Sequence, residues 1–118
     1  MDDRIVYRGR SRTIEWAVMP HGNTPAVRDW EKLPKEQKAK LLTTIKRLGD
    51  SGECRNTDRF VHERNGIYAI KAWKVRVYCF MTKDQRIVLT NVEPKTQNRA
   101  RPQDLDRAER IRSECINP

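Results

Sequence analysis

Three runs rich in β-forming residues, Ile67–Trp73, Val75–Met81 and Arg86–Val92, follow one another with joins of only a few residues. Joins as short as Trp73-Lys74 and Thr82-Lys83-Asp84-Gln85 leave no room for a crossover, so the three strands must pair antiparallel. The middle run is apolar on both faces, Val75, Val77 and Cys79 on one and Tyr78 and Phe80 on the other. That is the pattern of a central strand covered on both sides. A sheet of this kind needs helices to bury it, and the rest of the chain supplies them.

Upstream, Thr13–Met19 carries Ile14, Trp16 and Val18 at period two and predicts a further strand, closed by the turn cluster Pro20-His21-Gly22-Asn23. Thr24-Pro25 is a helix start, an N-cap threonine followed by proline at the first helical position. Val27, Trp30 and Leu33 then form the stripe of a short helix. Pro34 interrupts it and opens a second helix, with Leu41, Leu42, Ile45 and Leu48 at helical spacing and Gly49 placed as its C′ residue. Asp50 to Asn65 is polar and predicts a loop tacked down by Phe60 and Val61. Pro94 ends the last strand, and Arg101-Pro102 opens a C-terminal helix with Leu105, Ala108 and Ile111 on its buried face. The predicted order is β-α-α-β-β-β-α, an α+β sandwich with a helical hairpin and a C-terminal helix on one face of an antiparallel sheet.

At 118 residues the chain is the size of one domain. Residues 1–12 hold Arg4, Arg8, Arg10 and Arg12 around Gly9 and predict a basic N-terminal arm; residues 13–118 form the domain. No apolar run reaches the roughly 20 residues of a membrane span, and Met1-Asp2-Asp3-Arg4 lacks the start of a secretory signal. Three scattered cysteines, Cys54, Cys79 and Cys115, fit neither a disulfide framework nor a paired-cysteine zinc site. A reduced, cytoplasmic protein without metal or cofactor is expected. His21 and His62 stand alone and read as loop residues, and Cys79 reads as core.

Lys and Arg number 25 against 16 Asp and Glu, a net charge of +9 that suits a polyanionic partner. Between Lys71 and Arg101 eight basic residues face two acidic ones. If the two strands turn about Trp73-Lys74, Lys71 and Arg76 become neighbours, an unfavourable pair unless an anion lies between them. Cations with flanking aromatics on one sheet face suit single-stranded RNA. On such a substrate the 2′-hydroxyl can attack the adjacent phosphate, given a base, a cation to steady the extra charge, and an acid for the departing 5′-oxygen. Crowding by other cations makes an amine give up its proton more readily. Lys71 is therefore the candidate base and Arg76 the candidate for the charged phosphate. Lys95 would position the phosphate or act as acid. Lys74, Tyr78, Arg86, Asn98, Arg99 and Arg101 are candidates for holding the flanking RNA, although Lys74 and Arg86, like Lys83, lie near strand ends and turns and read first as solvated charges.

The run Gly66-Ile67-Tyr68-Ala69-Ile70-Lys71, then Val75-Arg76-Val77-Tyr78-Cys79-Phe80, Arg86-Ile87-Val88-Leu89-Thr90-Asn91 and Lys95-Thr96-Gln97 resembles the RelE/HigB toxin superfamily, most of all its phage-derived Gp49-like branch. Leu33-Pro34 and Leu48-Gly49 also match, and the likeness extends from Thr13 to Glu114. The resemblance implies a RelE-like fold and the toxin of a type II toxin–antitoxin system. It also implies a ribosome-dependent mRNA endonuclease neutralised by a cognate antitoxin, with Lys71, Arg76 and Lys95 at the matching basic positions. Ala69 stands where the pattern has glutamate, the segment 95–102 is longer, and the last helix lacks the tyrosine that some relatives use. Two other readings stay open: a non-catalytic nucleic-acid binder of this fold, and a ParE-like gyrase inhibitor.

Overall fold

The computed structural model describes residues 3–115. Along the chain run β1 (Ile5–Arg8), β2 (Thr13–Trp16), α1 (Pro25–Glu31), α2 (Lys35–Ser51), β3 (Phe60–Arg64), β4 (Ile67–Ala72), β5 (Val75–Met81), β6 (Arg86–Pro94) and α3 (Pro102–Glu114). The strands make one six-stranded sheet in the order β1-β2-β6-β5-β4-β3. All pairs are antiparallel except β2 with β6. The class is the α+β one that the sequence implies, with two strands more than the sequence pattern predicts.

The first addition is β1. Ile5–Arg8 of the supposed arm, whose first two residues lie outside the described ones, is instead the edge strand of the sheet, because Val6 and Tyr7 pack on the core and the turn behind them is latched to the end of α2. The amides of Ser11 and Arg12 both donate to the Gly49 carbonyl at 2.8 Å, and the Tyr7 hydroxyl donates to the Asp50 carboxylate at 2.8 Å. Gly49 is thus not the helix terminus. It lies inside α2 where Tyr7 crosses, and Gly52, at φ 82°, supplies the left-handed cap by donating to the Leu48 carbonyl. The second addition is β3, which takes the end of the predicted loop, His62 included, and pairs with β4 through Phe60↔Ile70 and Val61↔Ala69.

The helices also divide differently from the expectation. Successive strand residues point to opposite faces. Ile70, Val77 and Leu89 join Leu41, Ile45 and Leu48 of α2 in one core cluster, whereas Ala69, Tyr78 and Val88 join Leu105, Ala108 and Ile111 of α3 in another. The hairpin α1–α2 and helix α3 therefore cover opposite faces, and every residue of β5 but Met81 is buried between them. Arg64 fixes α3 in place, bonding to Asp106 and, at 2.7 Å, to Glu109. Among the described residues, no helix is long and apolar enough to cross a membrane.

Candidate nucleic-acid interface

The two-residue turn after Ala72 sets the β4–β5 register, and that register places Lys71 directly opposite Arg76. Arg76 in turn lies opposite Glu93 of β6. Beyond the end of β6 the Lys95 amide donates to the Lys74 carbonyl at 2.6 Å, so the segment leaving β6 is tied to the hairpin turn. Lys71, Lys74, Arg76 and Lys95 thus share one end of the sheet, drawn from three consecutive segments.

Arg76 does not face solvent there. It is 2% exposed, and its guanidinium spends its donors on three consecutive carbonyls: Nη1 on Gln97 and Arg99 at 3.2 and 3.1 Å, Nη2 on Asn98 at 2.6 Å. Its Nε lies 3.9 Å from a Glu63 carboxylate oxygen and has no hydrogen-bond partner among the described residues. The crowding of two cations across strands is therefore relieved from inside the protein. This corrects the expectation of a direct Arg76–phosphate contact: the side chain clamps the segment 97–99 and holds Asn98 and Arg99 out in water. Glu93 is buried and occupied by Asn91 at 2.9 Å and Arg107 at 3.1 Å. Among the described residues no carboxylate pairs with Lys71, Lys74, Lys95 or Arg99.

Three other candidates are placed elsewhere. Tyr78 is wholly buried beneath α3 and cannot stack on a base; desolvation by burial pushes its phenol up to about 12. Arg86 lies at the opposite end of β6, bonded to Glu15 and, at 3.0 Å, to Asp84. Arg101 turns back on α3 in a two-pronged bond to Asp104 at 2.8 and 2.9 Å, which raises its already high pKa. Cys79 is inert core, its thiol pushed up by burial. Among the described residues no group of three His, Cys, Asp or Glu side chains could hold a metal ion. What sequence reasoning gave no role is Trp73, placed there at the join between two strands. It occupies the hairpin turn, 61% exposed, with the Lys40 ammonium 4.2 Å from its ring centroid. The shortness of the join already puts Trp73 and Lys74 in the turn but says nothing of the indole's exposure.

A mixed six-stranded sheet with a helical hairpin on one face and a single helix on the other defines a RelE-like α+β domain. It resembles the archaeal RelE–RelB complex from Pyrococcus horikoshii OT3, at a TM-score of 0.52 and 21% identity over 61% of this chain and 88% of that one. No curated protein matches the sequence. The family model described as "Phage derived protein Gp49-like (DUF891)" matches residues 28–113, and the chain belongs to that family, within the RelE/HigB-type toxin superfamily.

Proposed function

We propose that this protein is the toxin of a toxin–antitoxin pair, a ribosome-dependent endoribonuclease that cuts mRNA in the cytoplasm. The observation that carries the reading is the register that gathers Lys71, Lys74 and Lys95 at one end of the sheet, none of them ion-paired to a carboxylate among the described residues. Family membership and the likeness to a toxin crystallised with its antitoxin support the partner.

The 2′-oxygen attacks the adjacent phosphorus as Lys71, acting as base, takes its proton. The bond to the 5′-oxygen breaks and that oxygen accepts a proton from Lys95, leaving a 2′,3′-cyclic phosphate and a 5′-hydroxyl. Cationic stabilisation and proton transfer suffice for this step. Arg76 serves as a positioning residue through the backbone of 97–99, while Lys74, Asn98 and Arg99 hold flanking phosphates. In this reading the ribosome aligns the 2′-oxygen with the departing 5′-oxygen.

The test is cutting of an mRNA on translating ribosomes, followed by mapping of the new 5′ ends. Lys71→Ala and Lys95→Ala should each lose on the order of a hundredfold or more in rate. Arg76→Lys keeps the charge without the fork and should lose rate together with order in the segment 97–99, seen as faster amide exchange there. Undiminished cutting by Lys71→Ala would sink the assignment, and RNA binding without any cutting by the wild type would favour the non-catalytic binder.

A further inference from the structure

Trp73 is the large apolar side chain that stands mainly in water among the described residues. Nothing in the fold asks for an indole there. It takes the first place of the turn between β4 and β5 at φ 48°, a left-handed conformation that hairpin turns fill with glycine or asparagine. The Lys40 ammonium of α2 sits over the ring, 4.2 Å from its centroid, while the residue as a whole stays 61% exposed. Around it lies a cleft of about 160 Å³ lined by Lys40, Asp58, Arg59, Lys71, Ala72 and Trp73. That is short of the roughly 300 Å³ at which enclosed small-molecule sites begin. The feature is a platform rather than a pocket, with three cations and one carboxylate about a flat π-face.

A flat ring with Lys40 over it, in a cleft also lined by Arg59, Lys71 and Asp58, matches an unpaired base with its phosphates. Among the described residues no other large apolar side chain is exposed to extend the indole into an apolar patch. The geometry points to Trp73 as the stacking platform for one unpaired base of the RNA, beside the 2′-hydroxyl that Lys71 deprotonates, with Lys40 and Arg59 drawing in the backbone. This rests on the function proposed above and adds the residue that seats the base.

The experiment compares the full chain with Trp73→Phe, Trp73→Ala and Trp73→Gly by two readouts: affinity for a short oligoadenylate, followed by tryptophan quenching and anisotropy, and the positions of cuts on translating ribosomes. Trp73→Ala should weaken binding by about 5- to 100-fold and leave its salt dependence unchanged, since no charge is lost. Trp73→Phe should retain most of the affinity. Trp73→Gly should match the alanine variant in binding without melting earlier than the wild type, because the turn favours glycine. Weakened binding or redistributed cuts in the alanine variant support the platform. Wild-type behaviour in both readouts overturns it, as does intact RNA binding with loss of a protein antitoxin. If Lys71→Ala abolishes cutting while Trp73→Ala changes nothing, the platform alone falls. A wild-type chain that neither binds the oligonucleotide nor cuts on ribosomes removes both readings.

Discussion

Tyr78 has no access to water, and its hydroxyl has no partner among the described residues. A buried hydroxyl left unbonded forfeits its hydration without recompense, so Tyr78→Phe should raise stability by about 1 kcal/mol at neutral pH. The pH dependence follows from the same burial. The folded phenol holds its proton up to about 12, whereas the unfolded chain releases it near 10. Its contribution is whole below pH 10 and is lost as pH rises through 12, since only the unfolded state ionises in that window. Urea unfolding across this range should show an alkaline decline that the phenylalanine variant blunts. A phenylalanine variant clearly weaker at neutral pH would mean that the hydroxyl is bonded after all. Either way Tyr78 is a core residue, whereas Trp73 is the large aromatic that stands mainly in water among the described residues.

At the level of elements, the least legible pieces were the two edge strands. Ile5–Arg8 and Phe60–Arg64 are short and lie among charges, and an edge strand needs too few apolar residues to stand out from a polar loop. The central hairpins were legible because two- and four-residue joins fix both direction and register, and that register is also why Lys71 and Arg76 could be paired in advance. The burial of Arg76 could not be read, as the carbonyls it clamps lie more than twenty residues further on. Nor could the face taken by α3, because an apolar stripe such as Leu105, Ala108 and Ile111 fits either side of a sheet buried on both. The docking of β1 is the sharpest test of this architecture. A methyl group on Gly9 would lie 2.1 Å from the Gly49 carbonyl carbon, backbone against backbone. Gly9→Ala should therefore cost about 2 kcal/mol or more and expose β1 to amide exchange. Tyr7→Phe, losing only the bond to Asp50, should cost less. Equal stability of Gly9→Ala and the wild type would mean that β1 is not held against α2.

Across the whole molecule the distribution of charge matters more than its sum. Of the net +9, many cations are spent internally: Arg64 on α3, Arg107 on Glu93, Arg86 on Asp84 and Glu15, Arg101 on Asp104. Lys71, Lys74, Lys95 and Arg99 gather instead at one end of the sheet. Lys83, also exposed, lies in the turn before β6, at the other end of that nine-residue strand and so about 30 Å away. At physiological salt the screening length is about 8 Å, so charges at the two ends act independently. Lys74→Glu and Lys83→Glu change the net charge by the same amount, yet only the first should weaken RNA binding and lower the steepness of its salt dependence by about one contact. Filter-binding or anisotropy titrations of the two variants over a salt series make the comparison. Equal losses would show that the chain attracts RNA through its overall charge, leaving the lysine-bearing end of the sheet with no special claim on the phosphates.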